Sequence, residues 1–172
     1  MKLEKLIEKL NEVIPANCRA LVGGSWALNH VYGVLHRRAD DVDIIITSCI
    51  FNPEERTKLS QDCLEAIQSL FPVEELSFCG GAYAGNKGKD TLINHKIKTH
   101  VNYGSRTLNF IMSSQGSYAD HFSAIKMGNM PVVPLMEIIK AKIDYNREKD
   151  QADFFNIIKN ISSGANPYDL PF

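Results

Sequence analysis

The chain has 172 residues, 44% of them hydrophobic and 23% charged, with a formal net charge of −1. That length and composition suit one domain, residues 1–172, with a real hydrophobic core, the alternating helical and strand patterns along it make that domain α/β, and the near-zero charge excludes a global pull toward nucleic acid, so such a partner needs a local patch. No apolar run approaches the roughly 18 residues of a membrane span, and the charged, helical pattern of Met1–Leu10 is not that of a signal peptide.

Leu3, Leu6, Ile7, Leu10 and Ile14 recur at helical spacing, predicting a first helix that ends near Pro15. Arg19–Val22 is a short strand, Gly23-Gly24 a turn, and Ser25–Tyr32 a helix closed by Gly33. Val42–Thr47 reads as a strand. Pro53–Leu70 is a helix with proline in its first turn and Leu59, Cys63, Ile67 and Leu70 as its apolar stripe. Val73–Phe78 reads as a strand, and the four glycines of residues 80–90 as a loop. Leu92–Tyr103 and Arg106–Met112 are strands joined by a turn at Asn102-Tyr103-Gly104-Ser105. Tyr118–Lys126 is expected to be a helix ending at Gly128. Pro134–Tyr145 and Glu148–Ile161 complete the series, and the tail after Ser162 is irregular. Cys18, Cys49, Cys63 and Cys79 form no Cys-x-x-Cys pair, so buried free thiols in a reducing cytoplasm are expected rather than a zinc site or disulfide framework.

Chemistry concentrates between residues 21 and 46. Apolar residues lead into Gly23-Gly24-Ser25, and Asp41-Val42-Asp43 opens the apolar run Ile44–Ile46. Glycine lets the backbone turn sharply and approach a ligand closely. Ser25 stands where a helix N-cap is expected, and free N–H groups there favour anions, phosphate above all. Asp41 and Asp43 alternate along a strand and so project the same way. Two neighbouring carboxylates repel unless a cation lies between them, and hard divalent cations take oxygen ligands. Phosphate at the glycine turn and Mg²⁺ at the aspartate pair is the geometry these residues predict. Arg37 and Arg38 lie beside the carboxylates, and one of them is expected to pair with Asp40 or with phosphate.

Together these residues resemble the polymerase-beta-like nucleotidyltransferase superfamily, whose signature is hydrophobic-Gly-Gly/Ser, a short helix, then Asp-hydrophobic-Asp/Glu on the next strand. Arg37-Arg38-Ala39-Asp40-Asp41-Val42-Asp43 is similar to the Arg-x-Ser/Thr-x-Asp-hydrophobic-Asp variant of small stand-alone members, including the abortive-infection toxin type; Ala39 replaces the usual hydroxyl residue. Lys140, Lys142, Arg147, Lys149, Asp150 and Asp153 are similar to the family's helical Lys, Arg, Lys-Asp and Asp pattern.

The resemblance implies a mixed, mostly antiparallel sheet packed with helices, with the site on one edge. It implies transfer of a nucleoside monophosphate from a nucleoside triphosphate to a hydroxyl, with release of pyrophosphate. Gly23, Gly24, Ser25, Arg37 and Lys142 would hold the nucleotide, and Asp41 and Asp43 would bind Mg²⁺, two ions being expected. The acceptor is left open among a tRNA, a protein and a small molecule. The family's third carboxylate comes from a later strand, where this chain offers Asn109. Asparagine supplies a neutral oxygen but cannot serve as a base near pH 7. Asp90 and Asp120 are the other candidates. Asn109 keeps a second reading open, a catalytically degenerate module that binds a nucleotide or a partner. Asp150 and Asp153 are expected to be structural partners of nearby basic groups, not metal ligands.

Overall fold

A computed structural model describes residues 2–71, 91–113, 125–127 and 130–164. Six strands in the described residues form one mixed sheet in the order β3-β4-β2-β1-β6-β5, with helices packed on it. The strands are β1 (Cys18–Gly23), β2 (Val42–Ser48), β3 (Thr91–Lys98), β4 (Thr107–Ser113), β5 (Ile125–Met127) and β6 (Met130–Val132). The helices are α1 (Leu3–Val13), α2 (Gly24–His30), α3 (Pro53–Ser69), α4 (Leu135–Tyr145) and α5 (Glu148–Ser162). Three strand pairs, β1–β2, β3–β4 and β5–β6, are antiparallel; β2–β4 and β1–β6 are parallel. The expected mixed, mostly antiparallel sheet is therefore present.

Strand alternation divides the sheet into two faces. Val42, Ile44 and Ile46 of β2 share a face with Leu108, Phe110 and Met112 of β4 and Ile93 and Ile97 of β3, all buried. The buried stripe of α1 joins this core through Leu3, Leu6, Ile7 and Leu10, and α3 does so through Leu59, Cys63 and Ile67. Asn52 caps α3 by accepting hydrogen bonds from the Glu54 and Glu55 amides, with Pro53 in the first turn as expected. Arg56 on α3 is fully buried. Its guanidinium donates to the carbonyls of Ser113 (2.6 Å), Ile50 (2.9 Å) and Ser48 (3.1 Å), gathering chain that leaves β2 and β4.

The opposite face carries Asp43 and Ile45 of β2, Asn109 and Ile111 of β4, and Asn94 and Lys96 of β3. It is polar where β2 and β4 begin. That places the candidate site at the middle of the sheet, not on one edge as expected. The reason is strand order: β3 and β4 flank β2 on one side, while β1, β6 and β5 lie on the other.

Other differences are local. The helix after the glycine turn starts at Gly24, with Gly23 as its cap, so Ser25 lies within the first turn and is not the N-cap. It stops at His30, and Tyr32, Val34 and Leu35 continue through hydrogen bonds to the carbonyls of Ala27 and Leu28. The strand predicted to reach Tyr103 ends at Lys98, and the link to β4 closes through the Thr99 amide donating to the Arg106 carbonyl at 2.8 Å. Ile125–Met127 is a strand paired with β6, not the end of a helix. Two three-residue strands are too short for a period to show in sequence. The predicted strand Val73–Phe78, the loop 80–90 and residues 118–124 lie outside the described residues.

Candidate active site

The site is built on register. Gly23 of β1 lies opposite Asp43 of β2, Asp43 beside Asn109 of β4, and Asn109 opposite Lys96 of β3. Residues paired across neighbouring strands share a face, so this row brings four sequence-distant positions together. The Asn109 amide donates from Nδ2 to Asp43 Oδ1 at 2.8 Å. Asn109 Oδ1 is buried and accepts no hydrogen bond in the structure.

Gly24 explains the glycine turn. It has φ +63°, a left-handed conformation that other residues adopt only at a cost. A Cβ at Gly24 would fall inside the Asp43 carboxylate. Backbone and carboxylate thus touch because this residue has no side chain.

Asp43 carries a charge that its surroundings disfavour. Burial raises its carboxyl from 3.8 to about 6; the charge of Asp41 pushes the same way, while the Asn109 hydrogen bond and the charges of Lys96 and Lys142 oppose it. Asp41 has a counter-ion of its own. Its Oδ2 accepts a hydrogen bond from Lys96 Nζ at 2.8 Å, a contact that holds the ammonium above its ordinary pKa.

A second cluster adjoins the first at Ser25. Ser25 Oγ accepts from Arg37 Nη2 at 3.0 Å and from Lys142 Nζ at 3.2 Å. Arg37 grips Asp153 of α5 with two 2.6 Å hydrogen bonds. Lys142 of α4 donates to Asp153 at 2.7 Å and to Asp150 at 3.4 Å. Arg147 completes the network on Asp150 at 2.5 and 3.0 Å. Asp150 and Asp153 are almost wholly buried. Burial alone would push both carboxyls up, but hydrogen bonds from Arg147 to Asp150 and from Arg37 and Lys142 to Asp153 hold them below the ordinary value. Of the three cations, Arg37 and Lys142 reach Ser25, while Arg147 reaches only Asp150.

The structure brings Gly23, Gly24, Ser25, Asp41, Asp43 and Asn109 to the start of β2, with Arg37 and Lys142 alongside. Arg37 pairs with Asp153, not with Asp40. The sequence offered no means of pairing residues 116 positions apart. Asp150 and Asp153 are ion-pair partners, as expected from the basic residues around them. Lys96 was not foreseen. Its only signal was a lysine on the polar face of a strand, common at a solvated surface. Asp90 and Asp120 lie outside the described residues.

No family model matches the chain, and no curated protein matches it. Among solved structures it is similar to that of the antibiotic-resistance factor ANT(2'')-Ia. Identity is 14% over 93% of this chain and 84% of that chain, with a TM-score of 0.46.

The donor set suits a hard divalent cation. Asp41 and Asp43 offer carboxylate oxygens, and Asn109 Oδ1 is a buried acceptor still lacking a donor. No cluster of three His, Cys, Asp or Glu side chains able to hold a metal occurs among the described residues. No helix among the described residues is long and apolar enough to cross a membrane.

Proposed function

We propose that this chain binds a Mg²⁺-nucleoside triphosphate at the start of β2 and transfers the nucleoside monophosphate to a hydroxyl group, releasing pyrophosphate. The observation that carries the reading is the contact between the Gly24 backbone and the Asp43 carboxylate, with Ser25 and its two cations adjoining. An anion-binding and a cation-binding element thus meet at one point, as a metal-bound triphosphate requires. The likeness of residues 21–46 to the polymerase-beta-like superfamily agrees with it.

In this reading Gly23, Gly24 and Ser25 pass close to the phosphates. Lys142 and Arg37, held in place by Asp153, set positive charge beside them. Asp41 and Asp43 hold Mg²⁺, which would neutralise charge on the triphosphate. The acceptor hydroxyl oxygen bonds to the α-phosphorus, the α–β bridging bond breaks, and pyrophosphate leaves with that bond's electrons. The hydroxyl proton needs an acceptor. Asn109 cannot provide one, because a neutral amide is not a base near pH 7, so in this reading the proton passes to solvent water. The acceptor, whether tRNA, protein or small molecule, is set by surfaces beyond this cluster.

Asn109 also favours a second reading, a module that binds Mg²⁺-nucleotide or a partner without turnover. One experiment separates the two. Nucleotide binding with and without Mg²⁺ is compared in wild type and in the Asp41→Asn, Asp43→Asn double variant, and pyrophosphate release in wild type and Asn109→Asp. Binding that Mg²⁺ strengthens only in wild type supports the site. Release that rises about 10²–10⁴-fold in Asn109→Asp marks the missing general base. Binding without release in either protein favours the module, and equal binding in wild type and double variant at any Mg²⁺ concentration rejects both readings.

A further inference from the structure

Lys96 stands out because its ammonium occupies a place that suits a metal ion. It belongs to the register row of Asp43 and Asn109, two strands from β2, yet its Nζ reaches Asp41 Oδ2 at 2.8 Å. Its charge also acts on Asp43. Lys96 is thus the protein's own counter-ion for the carboxylate pair. The contact is loose at one end: the lysine side chain is 46% exposed and the aspartate 23%. A flexible four-carbon stem at that exposure can swing away with little packing to lose. Asn109 Oδ1, only 8% of its residue exposed, lacks a donor in the same row, so the cluster with Lys96 in place leaves a buried acceptor unmet.

We propose that Lys96 and a divalent cation compete for Asp41, so that Lys96 keeps the nucleotide-free site weakly metal-binding and makes metal and triphosphate bind together. This rests on the reading of Asp41 as a metal ligand. When the cation takes Asp41, the ammonium is displaced on the same face, and the triphosphate offers it a new anionic partner. Lys96 is then a positioning residue that couples the two ligands. Without it, metal binds more readily alone and gains less from nucleotide.

The test uses Mn²⁺ as a probe, titrated by water-proton relaxation into metal-free wild type, Lys96→Met, Lys96→Arg and Asp41→Asn, Lys96→Met. Removing an opposing charge and a partly exposed ion pair should tighten Mn²⁺ binding about five- to tenfold in Lys96→Met. Lys96→Arg, which keeps the charge, should stay near wild type, and the double variant should lose the gain. Adding a non-hydrolysable nucleoside triphosphate should raise Mn²⁺ affinity more in wild type than in Lys96→Met. A purely structural role would lower thermal stability without this opposite movement. Equal Mn²⁺ affinity in wild type and Lys96→Met, or a gain that survives Asp41→Asn, overturns the proposal. Nucleotide that binds none of the proteins, beside a clear Mn²⁺ gain in Lys96→Met, upholds competition for Asp41 and removes the nucleotidyl-transfer reading instead.

Discussion

Replacing Asp43 with asparagine should stabilise the metal-free protein, and by an amount that grows with pH. The substitution keeps the shape of the side chain and removes a charge that burial and Asp41 both disfavour. The sign follows from linkage. The folded carboxyl titrates near 6 and the unfolded one near 3.8, so in that window the unfolded state has released its proton while the folded state retains it. Wild type therefore loses stability as pH rises from about 4 to about 6, and the loss is complete above that. Each pKa step of one corresponds to about 1.4 kcal/mol, so the penalty on wild type reaches about 3 kcal/mol at pH 8 and only about 0.5 kcal/mol at pH 4. Asparagine does not titrate, and the carboxylates that do not interact with Asp43 contribute equally to both proteins. The informative quantity is the difference between them, which should widen by about 2.5 kcal/mol from pH 4 to pH 8. For a chain of this size that is roughly 5–10 °C in melting temperature. The assay is thermal or urea unfolding of both proteins in a chelator across that range. A difference that stays flat with pH, or moves in favour of wild type, would refute the account of Asp43 as a desolvated carboxylate crowded by Asp41. Excess Mg²⁺ should reverse the order at pH 8, raising the wild type and leaving Asp43→Asn little changed.

Three further outcomes are expected. Gly24→Ala should cost at least about 1–3 kcal/mol, because it forces a left-handed backbone on alanine and drives a Cβ into the Asp43 carboxylate; urea unfolding reads the loss, and a neutral effect would show that the turn relaxes freely. Asp153→Asn should destabilise by about 3 kcal/mol, since Arg37 and Lys142 lose their shared buried partner. The stability that Asp153 and Asp150 contribute is present above their ordinary pKa and is lost as pH falls below it, so the gap between Asp153→Asn and wild type should shrink in acid. Cys49 should react readily with a thiol reagent, whereas Cys18 and Cys63, buried with sulfurs 3.5 Å apart, should react only on unfolding; Cys63 is held far above the ordinary thiol pKa by its hydrogen bond to Cys18 and by burial.

Much of the scaffold was legible in the sequence because it rests on local rules. The stripes of α1 and α3, the proline at the start of α3 and the strand Val42–Thr47 follow from side-chain periodicity and cap chemistry, which act within a few residues. The glycine turn was visible for the same reason, whereas Asp41, expected to share a strand with Asp43, lies one residue before β2. What only the tertiary structure decided is everything that depends on which strand lies beside which. A sequence places Asn109 on a strand; the parallel pairing of β2 with β4 places it against Asp43. The same pairing set the site at the middle of the sheet, and the meeting of β3 with β4 brought Lys96 to Asp41. Arg37 found Asp153 on α5 because that carboxylate is buried there with Lys142 and Asp150, and a buried charge must be paired. Cys18 and Cys63 met because α3 packs on the core face beside β1. Local propensity fixes which residues can line a face, but partners across the sheet are chosen by burial of the whole core, which no short stretch of sequence carries.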